Sequence, residues 1–227
     1  MASVVVPVSG GIDSAVVLKH AAKNFDEVYA MTFDYNQKHI KEIQCAEYQI
    51  NNNKPKVVHN RILDLGFFKS IAKSSITDTS IPVAKAKDVL GDPQTVNYVP
   101  FRNMMMISIA CAWAETVGAS KVFHGAALVD SQAGYWDGSQ EFLNTINKVT
   151  ALNRRTRISV EAPLIEMSKA QIIRYGIELQ VDFSRTWTCY EGKEFACGYC
   201  TACSSRIKGF LDNGMKDPVQ YERSINW

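Results

Sequence analysis

One stretch near the amino end, Ser9-Gly10-Gly11-Ile12-Asp13-Ser14, limits what this chain can fold into more than any other. It follows the apolar run Val4-Val5-Val6-Pro7-Val8 and precedes Ala15-Val16-Val17-Leu18-Lys19-His20-Ala21-Ala22. That order spells strand, tight glycine turn, helix. Backbone N–H groups at a helix start lack intrahelical partners, and the helix dipole adds partial positive charge there, so the turn suits an anionic phosphate. Two glycines let the backbone approach a ligand without Cβ clashes. Ser9 and Ser14 add hydroxyl donors. Neither the G-x-x-x-x-G-K-[ST] nor the G-x-G-x-x-G pattern is present, which leaves a nucleotide-free strand–helix turn as the plain alternative.

The six residues resemble the SGGxDS signature of the PP-loop ATP pyrophosphatases, complete at every position and in the strand-turn-helix context. The resemblance implies ATP cleavage between the α and β phosphates, with the turn holding the departing pyrophosphate.

The rest of the chain repeats the same unit. Val28 to Phe33 reads as a second strand, ending at Asp34-Tyr35-Asn36-Gln37-Lys38-His39. Ile40 to Ile50 has helical spacing and is broken by Asn51-Asn52-Asn53-Lys54-Pro55; Lys56 to Asn60 reads as a third strand. Leu63 to Phe68 looks like a loop entering a short helix. Residues 74–95 are polar and aperiodic, a length that predicts a mobile connection on the ligand side. An apolar helix from Met104 to Val117 closes on Gly118, with Met104, Met105 and Met106 read as adaptable core. Further on come a strand from Lys121, a helix over Phe142 to Leu152, and a strand from Ile158 to Glu161. A helix from Lys169 to Glu178 follows, with Ser168 as its N-cap and Gln171 three residues on. Alternating strands and helices predict an α/β fold: a Rossmann-like parallel sheet of the PP-loop ATPase type with helices on both faces. Ligands of such sheets sit at the carboxyl ends of the strands, which puts Ser9 and Asp34 on one edge.

The predicted division is a nucleotide-binding domain over 1–180 and a small four-cysteine segment over 181–227 packed upon it. Cys189, Cys197, Cys200 and Cys203 have the spacing C-x7-C-x2-C-x2-C, which fits four thiolates around tetrahedral zinc in a closed structural site. An iron–sulfur cluster is the rival that the spacing leaves open. Cys45 and Cys111 are isolated within helical patterns and read as packed thiols. A formal net charge of +2 lacks the basic excess of a nucleic-acid binder, so no direct nucleic-acid partner is expected. No apolar run reaches the roughly 18–20 residues of a membrane span. Met1-Ala2-Ser3 leads straight into the first strand without a visible signal peptide, and the expected location is cytoplasmic.

Several further stretches carry a closer resemblance: TFDYNQKH at Thr32 to His39, YVPFRN at Tyr98 to Asn103, GYWDGSQEF at Gly134 to Phe142, APLIEMSKAQI at Ala162 to Ile172, and TWTCY at Thr186 to Tyr190. With the glycine turn and the cysteine spacing they resemble the 7-cyano-7-deazaguanine synthase family over nearly the whole chain. Members usually carry glycine and arginine where Asn36 and Lys38 stand, glycine where Phe101 stands, and cysteine-arginine where Gly138-Ser139 stands.

The resemblance implies an ATP-dependent carbon–nitrogen ligase that converts 7-carboxy-7-deazaguanine and ammonia to 7-cyano-7-deazaguanine, with Mg2+ and Zn2+ as metals and a homodimer as the assembly. By resemblance Ser9, Gly10, Gly11, Ile12, Asp13 and Ser14 hold the pyrophosphate end of ATP, and Asp34 and Gln37 contact the nucleotide or order the site. Ser9, Asp13, Ser14, Arg102 and Lys169 form the catalytic set, the last two as cations. Tyr35, His39, Asp130, Tyr135, Asp137, Glu141 and Phe142 are the candidates for the base pocket. Trp187 belongs either to that pocket or beside the metal. Three other readings stay open: a member that stops at the amide for DNA modification, another PP-loop tRNA-modifying enzyme, and a nucleotide-binding zinc protein without turnover.

Overall fold

Valine alternation in the first strand decides the layers. Side chains alternate across a strand, and Val4, Val6 and Val8 are buried in one apolar cluster while Val5 is buried in another. In the computed structural model, which describes residues 1–88, 95–128, 130 and 135–227, this strand is β1 (Ser3–Pro7). It lies at the centre of a five-stranded sheet with β2 (Glu27–Asp34), β3 (Val57–Asp64), β4 (Lys121–Phe123) and β5 (Ser159–Glu161). The order is β3-β2-β1-β4-β5 and every pair is parallel. Ser3 faces Glu27 across one side of β1, and Val4 faces Lys121 across the other.

The helices that cover the sheet include α1 (Ile12–Asn24), α2 (Lys41–Asn51), α3 (Arg102–Val117), α4 (Gln140–Thr150), α5 (Lys169–Glu178) and α6 (Thr201–Leu211). On one face Val4, Val6, Val28 and Ala30 pack against Val16 and Leu18 of α1, Ile50 of α2, Ile172 of α5 and Phe210 of α6. On the other, Val5, Met31, Val122 and Val160 pack against Ile107 and Trp113 of α3 and Leu143 and Ile146 of α4. Burying each such side chain contributes about 1.5–3 kcal/mol. A sheet covered on both faces needs strands that are nearly continuously apolar, which β1 and β2 are. The predicted Rossmann-like architecture is therefore the observed one, and the Ser168–Gln171 capping box and the left-handed Gly118 cap are both present.

Four details differ from the sequence expectation. Strand β3 runs on to Asp64, past the polar residues His59, Asn60 and Arg61. They interrupt an apolar pattern but are tolerated at a sheet edge, where Val58 and Ile62 are also exposed. Met104 is exposed, and only Met105 and Met106 pack on the core. Residues 89–94 of the long connection lie outside the described residues. The described part, 74–88, is pinned rather than loose: the Ser75 hydroxyl donates to Asn97 Oδ1 (2.6 Å), and the backbone N–H of Lys38 donates to the Ile76 carbonyl (2.8 Å). Ala86 N–H donates to the Tyr199 carbonyl (3.0 Å).

Helix α6 is the fourth difference. Its ligand-type cysteines mask its period in sequence, yet Cys200 caps its start and Cys203 lies in its first turn. It also carries Arg206, which is 2% exposed. Nε and Nη2 of Arg206 donate to the Asp217 carboxylate at 2.6 and 2.9 Å, Nη1 donates to Thr186 Oγ1 at 2.9 Å, and Nη2 also reaches the Phe183 carbonyl at 3.0 Å. A buried ion pair is tolerated only when its donors are satisfied in this way. It ties α6, the tail around Asp217 and the Phe183–Thr186 approach to the cysteines into one unit.

Candidate active site and metal centre

The strand order reverses at β1 and β4, and in open α/β sheets the crevice beyond such a reversal is where ligands bind. The glycine turn leaves β1 at that crevice. Gly10 has φ +90, a left-handed conformation, and any side chain there would collide with the Glu42 carbonyl of α2. Only glycine lets the turn lie this close to α2. Gly11 is the N-cap of α1 and no side chain caps the helix. The helix start is thus open to an anion. Within the turn the Ser9 and Ser14 hydroxyls are 3.1 Å apart, and Ser14 Oγ accepts from Gly10 N–H at 3.1 Å. The side chain of Ile12 is buried in the core, so only its backbone N–H remains for a ligand.

Asp13, in the first turn of α1, meets Lys169, the first residue of α5, with the ammonium bonded to both carboxylate oxygens and 2.7 Å from Oδ2. The capping box orients the start of α5. Gly209 of α6 lies against the lysine stem, where a Cβ would come within 2.6 Å of Lys169 Cγ. Asp130 lies beside this pair. Its Oδ2 accepts from Ala127 N–H at 2.9 Å, and burial, reinforced by the nearby Asp13 charge, raises its pKa to about 6. Gly138 makes that packing possible, since a side chain there would collide with Asp130 Cβ.

Arg102, the first residue of α3, donates to the Tyr35 hydroxyl at 3.0 Å. Burial works against its charge, but Tyr35, Tyr190 and Glu42 hold it protonated. Burial pushes the Tyr35 phenol up to about 12 and raises Asp137, whose charge Arg102 offsets. The sequence reading gives no role to His124 and names Tyr190 only within a motif. His124 follows β4 directly, so strand order alone would have found it. Burial and then Arg102 lower its pKa to about 4, and its Nδ1 has no partner among the described residues.

The loop after β2 is more self-contained than expected. Gln37 is buried: its carbonyl accepts from Tyr35 N–H (2.9 Å), and its amide donates to the Phe33 carbonyl (3.2 Å) and to Glu42 Oε1 (3.0 Å). These bonds occupy the side chain, and Gln37 orders the loop through them. Asp34 accepts from Asn36 N–H at 3.0 Å, and His39 Nε2 lies 3.3 Å from Glu42. Phe142 is buried against His124. Tyr135 is half-buried and stacks on Tyr98. Glu141 is exposed in the first turn of α4, and its side chain has no partner among the described residues, so it does not join the cluster; its charge suits that helix start. Gly134 lies outside the described residues.

The shift at Asp130 has a measurable consequence. Its ordinary value is 3.8 and its folded value is about 6. The folded chain therefore binds the extra proton, and stability falls as pH rises through that window. Asp130→Asn keeps an acceptor for Ala127 N–H and removes the charge. The ligand-free variant should melt on the order of 5 °C above the parent at pH 8, with the gap closing toward pH 4. Melting curves with a gap constant between pH 4 and 8 would contradict this.

The four cysteine sulfurs lie within 4.8 Å of one another and all four residues are buried. Backbone N–H groups of Cys197, Cys200 and Cys203 donate to neighbouring sulfurs at 3.2–3.4 Å, which favours thiolates. This donor set fits a tetrathiolate metal and leaves no open coordination position. Trp187 is buried beside the cysteines, with its indole N–H donating to the Cys189 carbonyl at 3.0 Å. Its backbone N–H donates to the Gly10 carbonyl at 2.9 Å. Gly192, in the same cysteine loop, packs directly on the backbone of Lys38 and His39. A cavity of about 400 Å3 lies between α2 and this segment, lined by Lys41, Cys45, Tyr48, Arg185 and Val219 among others, and includes none of the cluster residues. No helix among the described residues is long and apolar enough to cross a membrane.

Comparison with known proteins gives concordant results. The 7-cyano-7-deazaguanine synthase of Clostridium kluyveri is 39% identical over 228 aligned positions, covering 98% of this chain and 99% of the relative. The protein of the same name from Chlorobaculum tepidum is 40% identical, covering 97% and 96%. Among solved structures, NMN synthetase from Francisella tularensis superposes with a TM-score of 0.55 at 15% identity, covering 94% of this chain and 77% of that one, a likeness of fold alone. The sequence model of the family described as Queuosine biosynthesis protein QueC matches residues 3–214, a span that takes in the sheet, the glycine turn and all four clustered cysteines. The chain belongs to that QueC family.

Proposed function

We propose that this chain is an ATP-dependent ligase that converts 7-carboxy-7-deazaguanine and ammonia to 7-cyano-7-deazaguanine, releasing AMP and pyrophosphate. The observation that carries the reading is similarity to 7-cyano-7-deazaguanine synthases along almost the whole chain, in step with an uncapped glycine turn facing the Asp13–Lys169 pair.

A carboxylate is a poor electrophile because its oxygen is a poor leaving group. Attack of that oxygen on the α-phosphorus of ATP expels pyrophosphate and makes an acyl adenylate. Ammonia displaces AMP to give the amide. The amide oxygen then attacks a second ATP, and loss of AMP and a proton leaves the nitrile. Both adenylations are the same displacement, so one site serves for both. Ser9, Gly10, Gly11, Ile12 and Ser14 are assigned to the pyrophosphate, whose oxygens would take over the Gly10 and Gly11 N–H groups from the Ser14 and Ser9 hydroxyls. Lys169 and Arg102 are assigned to the charge that develops on the phosphates. Tyr35, Asp130, Tyr135, Asp137 and Phe142 are assigned to the base, whose N–H and amino edge suits a carboxylate. Mg2+, when bound, would offset charge on the β and γ phosphates, with Asp13 as its carboxylate. Zn2+ is the metal assigned to the four thiolates, in a purely structural role. We read the assembly as a homodimer working in the cytoplasm, through the exposed Met104 side of α3 or the cysteine segment.

Purified protein incubated with the carboxylated base, ammonium and MgATP should release two AMP per base, and product mass should identify the nitrile. Release of ADP, or AMP release that ignores the base, would rule the reading out.

A further inference from the structure

Five aromatic rings gather beside the cluster around Arg102 and Asp137. Phe101 directly precedes Arg102, and Trp136 directly precedes Asp137. Their ring centroids are 5.4 Å apart, and Trp136 meets Phe142 edge-on at 5.3 Å. Tyr98 stacks on Tyr135 with centroids 6.3 Å apart. The Tyr98 hydroxyl accepts the indole N–H of Trp136 at 3.0 Å and the backbone N–H of Phe101 at 3.2 Å. Both outer rings are thus held in place, yet Phe101 is 61% and Trp136 37% exposed.

Two features separate this arrangement from ordinary surface packing. Phe101 has φ 54 and ψ 14, a left-handed conformation that is strained for a bulky side chain. Such strain persists where the surroundings impose it, and it clusters at binding sites. These two exposed rings also touch each other and adjoin charged side chains at the ligand edge of the sheet. The half-buried Arg102 and the buried Asp137 lie at one end of this aromatic face, and a carboxylate beside an aromatic wall suits a planar heterocycle with an N–H edge.

We propose that Phe101 and Trp136 form the outer wall of the heterocycle site, on which the flat base stacks while Asp137 meets its polar edge. The proposal rests on the synthase reading and specifies which residues set its preference for a planar base.

The test uses the full chain and measures binding of 7-carboxy-7-deazaguanine by calorimetry, alongside KM values from AMP release. Trp136→Leu should weaken base binding about tenfold and raise the KM for the base equally, with the KM for ATP within about twofold. Trp136→Phe should restore most of the affinity, which a merely structural role for the indole would not produce. Phe101→Gly should weaken base binding severalfold while the melting temperature holds or rises, because the strain is relieved. Unchanged base affinity in Trp136→Leu and Phe101→Gly, or no recovery in Trp136→Phe, would overturn the wall. If the parent protein binds the base as described but releases no AMP, the synthase reading fails and the wall stands. If turnover is intact but the variants bind the base normally, the wall fails and the reading stands. A parent protein that binds no base overturns both.

Discussion

Lys169→Met is expected to lower base-dependent AMP release by about a thousandfold in kcat, the size of effect seen when one preorganised donor to a developing charge is removed. The ammonium is held by the Asp13 carboxylate at the mouth of the glycine turn, and its stem is confined by Gly209 of α6. It has little freedom to lose when phosphates arrive, which is what makes such a group effective. In the variant Asp13 would stand uncompensated near Asp130, so the pKa of Asp130 should rise further. Base binding should fall far less than turnover, since of the residues assigned to the base only Asp130 adjoins the pair. Steady-state AMP release and calorimetry with the base, run side by side, check both halves. A loss smaller than about tenfold would remove Lys169 from the chemistry.

Removal of the metal from the four thiolates should be equally severe, through structure rather than chemistry. Structural tetrathiolate sites contribute on the order of 10 kcal/mol to the segments they organise. Here that segment touches the site twice on main-chain atoms, at Trp187 against Gly10 and at Gly192 against Lys38–His39. Cys197→Ser, or prolonged chelation, should lower the melting temperature by more than about 10 °C and abolish AMP release. Elemental analysis of the parent should find one zinc per chain and no visible absorption band. Iron with such a band would replace zinc by a cluster. A Cys197→Ser protein that kept full metal content and its melting temperature would show that the thiolates are not ligands.

The parts of this molecule that were legible in the sequence are those fixed by neighbours along the chain. Strand β1, the turn and α1 follow from an apolar run, two glycines and a helical period. The capping box at Ser168 and the glycine cap at Gly118 are equally local. What stayed hidden depends on contacts between distant segments. Gln37 looks free in sequence but is occupied by Phe33, Tyr35 and Glu42 once the loop closes. Glu141 sits in a promising stretch, yet one helical turn carries it into solvent while Phe142 is buried. Helix α6 is obscured because its first turn doubles as a cysteine knuckle. Trp136 is not singled out within the GYWDGSQEF stretch, because its contacts are with Phe101 and Tyr98, more than thirty residues away.

The glycine contacts have a consequence for how such a protein diversifies. Gly10 presses on the backbone of α2, and Gly192 on the backbone of the loop after β2. Scaffold segments distant in sequence are thereby welded through main-chain atoms that no side-chain exchange alters. Side chains such as those of Asn36, Lys38 and Ser139 can be exchanged on this frame without moving the glycine turn. On the proposed function, the preference for the heterocycle could then be altered while the phosphate-binding half stays unchanged.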